Sequence, residues 1–380
     1  MLYTVKEEIM KLVINALAYK QNSSGIGVMI SRMVLPVCKK IQGKAQIILS
    51  KDSPEIEGFE QAAEVIRSPH DHRHGLKRMW FQTMEMGRTY GRNALLLTTD
   101  SKIPFFLPQS CRVVSVVTDL AVFHMGEVYK LSRMLWWRFQ YCYLKKRATH
   151  YVAVSEFTKQ DMVEVLGIDP EHITVVHCAA DERMKPITDE SVLHACREKY
   201  GLDKPYVLFV GNNNPRKNLS RMMEAFDLVK QRANLPHQLV IAGEQGWKFS
   251  KEGALQGISC KKEIRFLGFV SDEDLPALYT LAELFAFPTL YEGFGIPVIE
   301  AQQCGTPVLS GKVTAMPEVG GEGAFYVDPY SVESIAAGME RILTAPSFAE
   351  ELRGKGFENA KRFSWEQSVE KLRKELERWM

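Results

Sequence analysis

Short apolar, β-branched runs recur along the chain with room for a helix between most of them. In the first half they are Lys11–Ala18, Ala45–Ser50, Ala94–Thr98, Arg112–Val117, His150–Val154 and Ile173–His177. The rhythm restarts at Tyr206–Val210 and continues through Gln238–Ala242, Ile264–Leu267, Leu284–Phe287, Pro307–Leu309 and Ala324–Val327. Runs that are apolar throughout belong to strands buried on both faces, so the pattern predicts parallel sheets covered by helices on either side. The less regular segment Cys178–Pro205 separates the two series. The expected architecture is α/β, with two Rossmann-like doubly wound domains. They span residues 1–180 and 204–362, with a linker region at 181–203 and a terminal helix within 363–380. In such folds ligands bind beyond the carboxyl ends of the strands.

Two of those strand ends carry distinctive chemistry. After Glu283–Pro288, a buried run stopped by proline, comes Tyr291-Glu292-Gly293-Phe294-Gly295-Ile296-Pro297-Val298-Ile299-Glu300. The Gly-Phe-Gly turn opens a predicted helix, whose first N–H groups are free to hold phosphate. Glu292 before the turn and Glu300 on the helix suit hydroxyls, which donate to carboxylate oxygens. Phosphate and hydroxyls at one junction point to a sugar nucleotide. The other end is Gly211-Asn212-Asn213-Asn214-Pro215-Arg216-Lys217-Asn218. Gly211 and the asparagines permit a tight turn, and Arg216 and Lys217 precede a helix predicted over Leu219–Gln231. Two cations at a helix start oppose its dipole unless an anion lies between them.

Composition adds bounds rather than chemistry. The 380 residues, 46% hydrophobic, suffice for two α/β domains. No apolar run is long enough to span a bilayer, and Met1–Glu8 reads as a polar leader without a signal-peptide pattern, so a cytoplasmic protein is expected. Cys38, Cys111, Cys142, Cys178, Cys196, Cys260 and Cys304 form no C-x-x-C pair and have no zinc-spaced histidines, which fits free thiols in a reducing compartment. The net charge of +2 is uneven: residues 1–180 carry 23 Lys and Arg against 17 Asp and Glu, and the remainder 25 against 29. The basic half hints at an anionic partner or a membrane surface, and no nucleic acid is expected. Two basic, aromatic stretches bear on that hint. In Met134–Arg147 the aromatics are spread around the helix and read as core with a solvated basic edge. Arg67–Arg92, with Trp80 and Phe81, stays open between that reading and a membrane-facing one.

As a set, the motifs resemble the retaining GT-B glycosyltransferases of the family 4 type (glycosyl transferases group 1), which include many bacterial mannosyl- and glucosyltransferases. The matching pieces are Val210-Gly211 through Asn218, Phe266-Leu267-Gly268-Phe269-Val270, the E-x7-E pair Glu292 and Glu300, Glu300 through Val308, Pro317-Glu318-Val319-Gly320-Gly321, and Phe363-Ser364-Trp365. They cover essentially all of 204–380. The first half matches more thinly, at Gly25-Ile26-Gly27, Thr118-Asp119-Leu120 and Val154-Ser155-Glu156-Phe157.

The resemblance implies specific roles. Arg216 and Lys217 would bind the donor diphosphate and stabilise its charge as it leaves. Glu292 would orient the donor sugar, and Glu300 would take the ribose hydroxyls. The amides of Phe294 and Gly295 would complete the phosphate site, and the backbone at Phe269 and Val270 would meet the base. Gly25 and Gly27 would approach the donor phosphates or the acceptor, and the terminal helix would cross back to the first domain. No metal is implied. GDP-mannose is the favoured donor, and the acceptor is a glycan or lipid-linked sugar in surface-polysaccharide assembly. Transfer would proceed by front-face displacement, with domain closure completing the site.

One position departs from the family: Thr118 stands where relatives often carry histidine, and His124 follows a short way beyond Asp119 in the same segment. His124 is weighed between a catalytic role and a structural one, and Asp119 between positioning the acceptor and capping a turn. Two rival functions are a nucleotide-sugar 2-epimerase, which shares the architecture, and a non-catalytic nucleotide-sugar binder. An NAD-dependent oxidoreductase fits less well, because Gly25-x-Gly27 lacks the third glycine of the dinucleotide fingerprint.

Overall fold

In the computed structural model the apolar runs become strands of two parallel sheets. The structure describes residues 10–20, 25–41, 45–56, 58, 61–126, 128–129, 131–233, 235–244, 246 and 250–380, so the leader Met1–Glu8 lies outside the described residues. The first sheet holds β1 (Lys11–Asn15), β2 (Ala45–Leu49), β3 (Ala63–Arg67), β4 (Ala94–Thr98), β5 (Arg112–Val117), β6 (His150–Ala153) and β7 (Ile173–Val175), in the order β3-β2-β1-β4-β5-β6-β7. The second holds β8 (Tyr206–Val210), β9 (Gln238–Ala242), β10 (Ile264–Gly268), β11 (Leu284–Phe287), β12 (Val308–Gly311) and β13 (Ala324–Val327), in the order β10-β9-β8-β11-β12-β13. The pairings β1–β4 and β8–β11 are parallel, as the buried apolar runs require.

β3 is the strand the apolar pattern does not announce. In Ala-Glu-Val-Ile-Arg only Ala63 is buried, because the strand lies at the sheet edge. It is tied to β2 by register and by Gln46 Nε2, which donates to Glu64 Oε2 at 2.8 Å.

The chain divides into two compact units. One runs to Cys178 and includes Trp365–Met380; the other is Ala179–Ser364. The stretch 181–203, expected as a linker, is structured within the second unit. Its helix Glu190–Tyr200 is held there by Tyr200, whose hydroxyl donates to Asp274 Oδ2 (2.6 Å), and by Lys199, whose Nζ donates to the same oxygen (2.6 Å). The helix Trp365–Glu377 packs in the first unit. Ser368 Oγ donates to His177 O at 2.7 Å, and Glu375 accepts from Thr174 Oγ1 (3.0 Å) and Trp379 Nε1 (2.9 Å). The buried imidazole of His150 lies 3.2 Å from Glu375 and stacks on Trp379, so the terminal segment is fixed by polar contacts as well as apolar ones.

The core of the second unit is aromatic. Phe285 and Phe287 of β11 stack at 5.6 Å between centroids, with Phe209 of β8 at 6.1 Å from Phe287 and Tyr279 edge-on to Phe285 at 5.4 Å. Burying each such ring contributes about 2–3 kcal/mol. This rigid floor matters because both strands end at the site. In the second sheet the strand order reverses where β8 meets β11, so crossovers leave β8 and β11 toward opposite faces and open a crevice at their carboxyl ends. The two segments singled out in the sequence, 211–218 and 288–295, are thereby neighbours.

Candidate active site

β8 ends at Gly211, whose φ of 146° lies in a region open mainly to glycine. A Cβ there would stand 3.6 Å from Lys217 Cε, so the backbone turns directly beneath that side chain. Asn214 caps the short 3₁₀ turn Pro215–Lys217, its Oδ1 accepting from Arg216 N at 3.1 Å. Asn218 then takes a left-handed conformation (φ 60°), and its Nδ2 donates to Pro288 O (2.9 Å) and Pro329 O (2.6 Å). That residue fastens three loops together before the helix Leu219–Ala233 begins.

From the other strand, Leu290 N donates to Arg216 O at 2.9 Å. Thr289 Oγ1 lies 3.0 Å from the same carbonyl and 3.2 Å from Glu292 Oε1. Lys217 Nζ reaches Glu292 Oε1 at 2.7 Å, and Arg216 Nη2 stands 3.7 Å from Glu292 Oε2. Lys217 also lies over the Phe287 ring, 4.4 Å from its centroid. The anion that offsets the two cations is therefore Glu292 itself. Burial pushes the Glu292 carboxyl up, but the charges of Arg216 and Lys217, with hydrogen bonds from Lys217 and Thr289, hold it below the ordinary glutamate value.

Gly295 caps the helix Ile296–Gln303 with φ 101°. A Cβ there would meet only the Met316 side chain at its movable end, so it is the positive φ that closes the turn to larger residues. Phe294 is buried, its ring edge-on to Phe363 at 5.6 Å. Thr314, another non-glycine residue at positive φ (52°), accepts from Glu292 N through Oγ1 at 3.1 Å and fixes the start of the turn.

Glu300 faces a different neighbourhood. Tyr279 donates its hydroxyl to Glu300 Oε2 at 2.9 Å, and Thr306 Oγ1 donates to Tyr279 O at 2.6 Å. Burial, reinforced by the charges of Asp272 and Asp181 and opposed by the Tyr279 hydrogen bond and Lys217, raises the Glu300 carboxyl to about 7. Phe269 and Val270 follow β10; Phe269 is exposed and Val270 buried. The helix that carries Tyr279, Leu275–Leu281, comes directly after that segment, which brings the Phe269–Asp274 loop toward Glu300.

The structure thus gathers Gly211, Arg216, Lys217 and Glu292 into one cluster, with Phe294 and Gly295 on the same turn and Glu300 on the helix that follows. Sequence reasoning alone misses Thr289, Phe287, Asn218, Thr314 and Tyr279. A threonine or tyrosine beside a motif carries no spacing signal of its own, although Asn218 before a helix at a strand end is a visible turn former.

Gly25, Gly27, Asp119 and His124 belong to the other unit. Gly25 (φ 34°) precedes the helix Ile26–Met29, in which Gly27 is buried. Asp119 Oδ1 accepts from Ala121 N at 3.1 Å, a turn-capping bond, and its carbonyl accepts from Tyr141 at 2.9 Å. His124 Nε2 lies 2.6 Å from Oδ1 of the buried Asp161, a partner on the helix Glu156–Leu166 that no sequence pattern indicates. Ser155 caps that helix, accepting from Thr158 N at 2.9 Å. These residues follow the carboxyl ends of β1, β5 and β6.

Two doubly wound units, one with paired cations and carboxylates at its switch point, define an α/β enzyme of the GT-B type. Glycosyl transferases group 1 matches residues 195–363, and glycosyltransferase family 4 matches 54–183. Over 270 residues the chain is 31% identical to O-antigen chain mannosyltransferase B of Escherichia coli, covering 69% of each protein. It is also 31% identical over 226 residues to the serotype-specific mannosyltransferase WbdA of E. coli, but spans only 28% of that longer chain. Among solved structures, Anabaena HepE in complex with UDP and glucose superposes with a TM-score of 0.75 at 16% identity, covering 97% of this chain and 99% of that one. WaaG, a glycosyltransferase involved in lipopolysaccharide biosynthesis, gives 0.74 at 16% identity, covering 95% and 98%. At that identity the likeness concerns the fold. The chain belongs to the family 4 glycosyltransferases, the glycosyl transferases group 1.

Proposed function

We propose that this glycosyltransferase moves mannose from GDP-mannose to a glycan or lipid-linked acceptor in surface-polysaccharide assembly, with retention at the anomeric carbon. The Lys217–Glu292 contact of 2.7 Å, with Arg216 at 3.7 Å, carries the reading. It holds two cations and a carboxylate at the switch point, where the donor diphosphate and sugar would lie. In the reaction an acceptor hydroxyl oxygen forms the new bond to the anomeric carbon as the bond to the diphosphate oxygen breaks. The departing phosphate takes the hydroxyl proton, and the negative charge it gains falls to Lys217 and Arg216. These cations would supply the charge stabilisation without a metal.

Glu292 would orient the sugar hydroxyls, Glu300 the ribose, the Phe294 and Gly295 amides the phosphates, and the loop at Phe269 and Val270 the base. The first unit would take the acceptor, with Gly25, Gly27, Asp119 and His124 on its strand-end loops. The mannosyl preference draws on the mannosyltransferase relatives. A membrane-borne acceptor would bring the enzyme to a membrane surface through its basic first half. Incubating the protein with GDP-mannose and with UDP-glucose, using a glycan acceptor and reading the product linkage by NMR, tests donor and stereochemistry together. An α-mannosylated product is expected; an inverted linkage, or transfer from UDP-glucose alone, overturns the proposal.

A further inference from the structure

The helix Leu131–Arg147 does not bury all its apolar side chains. Tyr141 and Leu144 are in the core and Trp137 and Tyr143 pack against it, as expected for Met134–Arg147, but Phe139 departs from that reading: with Leu131 and Leu135 it is more than half exposed. At 3.6 residues per turn these three share a sector of about 120° with Arg138, Lys145 and Lys146. The helix contains no Asp or Glu.

A second helix joins the same surface. Gly75–Trp80 has no buried residue, and its Leu76 and Trp80 are 79% and 57% exposed beside Lys77 and Arg78. Phe105 links the two helices: its N–H donates to Thr83 O, just past Trp80, at 2.7 Å, and its ring packs edge-on to Trp136 (6.3 Å) and Phe139 (5.7 Å). Next to it Phe106 is exposed, with the Arg88 guanidinium 3.8 Å over its ring. Of the eleven large apolar side chains that are exposed among the described residues, six lie on these two helices and the loop that bridges them.

We propose that this face of the first unit docks on an anionic lipid surface, with Leu76, Trp80, Phe106, Leu131, Leu135 and Phe139 entering the headgroup boundary and the neighbouring cations meeting lipid phosphates. Protruding apolar groups set among cations are what such an interface takes. A second copy of the chain is a poor occupant, since the same basic face on both copies repels. The inference deepens the proposed use of a membrane-borne acceptor and rests on that reading.

Co-sedimentation of the full chain with acceptor-free vesicles tests it: pure phosphatidylcholine against equimolar phosphatidylcholine and phosphatidylglycerol. The expected result is binding to the anionic vesicles alone, weakened by added salt. Leu135→Glu with Phe139→Glu should lose affinity on the order of tenfold or more, and so should Arg138→Glu with Lys146→Glu, whose side chains are exposed and whose thermal melting should be unchanged. Equal binding to both vesicle types, no binding to either, or unaltered binding by the charge-reversal pair overturns the proposal. Because no acceptor is present, that failure is separate from failure of glycosyl transfer, which a water-soluble acceptor fragment measures.

Discussion

Lys217 Nζ stands 2.7 Å from Glu292 Oε1 at a site where both side chains are almost wholly buried. Each neutralises the other. On the proposed placement of the donor, its diphosphate would compete with Glu292 for the charge of Lys217, and Glu292 would gain oxygens free to accept from sugar hydroxyls. Under these proposed roles, donor binding and sugar orientation would be coupled through this one contact.

Removing the cation separates two consequences. Lys217→Ala is expected to lower turnover on the order of 10²–10³-fold, the usual effect of losing one charge-stabilising contact. It also leaves a buried carboxylate with less compensation, at a cost of about 3 kcal/mol in stability. Denaturant unfolding checks the second effect, and Lys217→Met combined with Glu292→Gln should recover most of it while leaving the enzyme inactive.

If Glu300 takes the ribose as proposed, nucleotide binding should depend on pH. Its carboxyl sits at about 7 rather than 4.5, so in the folded protein it takes up its proton more readily than in the unfolded chain. Its contribution to stability is whole below about 4.5 and is lost as pH rises toward 7. Ribose hydroxyls donate to the ionised form, so GDP affinity should rise across the same window, by up to about tenfold per pH unit below 7. Calorimetry from pH 5.5 to 8 should show proton release on binding, and Glu300→Gln should flatten the profile and weaken binding.

Tyr279 tunes that midpoint. Its hydroxyl donates to Glu300 Oε2 at 2.9 Å and favours the ionised form. Tyr279→Phe removes the bond while keeping the ring against Phe285. The midpoint for GDP binding should move to higher pH, with a stability loss of about 1 kcal/mol. An unchanged midpoint would mean that the contact does not govern Glu300.

His124→Ala takes away the 2.6 Å partner of buried Asp161. The expected outcome is destabilisation by about 1–2 kcal/mol with donor affinity unchanged, since Arg216, Lys217, Glu292 and Glu300, the proposed donor contacts, lie in the other unit. Turnover on the same variant assigns the imidazole: retention of activity makes it structural.

Gly295→Ala should destabilise the turn chiefly through its backbone conformation. The Cβ meets Met316 Cε, and φ of 101° disfavours any side chain. A loss of about 2 kcal/mol is expected, which denaturant unfolding checks.

Continuous apolar strands are the readable part of this chain, because burial on both faces forces an unbroken apolar run. β3 escapes the pattern because an edge strand with a solvated face lacks that signature. Glu190–Tyr200 lies within a region that reads as linker because its helix is short and polar, and its attachment depends on Asp274, far away in sequence. The Arg216, Lys217 and Glu292 cluster is legible because two strand ends of one sheet confine those residues to adjacent loops, with Glu300 on the helix that follows. Its supports are not: Thr289, Thr314 and Tyr279 acquire their roles from contacts that close only in three dimensions. The exposure of Leu131, Leu135 and Phe139 is likewise hidden, since the aromatics spread round the helix obscure which sector stays uncovered.

Calorimetric titration of GDP-mannose, UDP-glucose and free GDP into the protein and its Lys217→Ala variant probes the donor site itself. Preferential binding of GDP-mannose is expected, strongly reduced in Lys217→Ala. Binding of no sugar nucleotide, or equal affinity in the variant, would contradict the placement of the donor at Arg216, Lys217, Glu292 and Glu300.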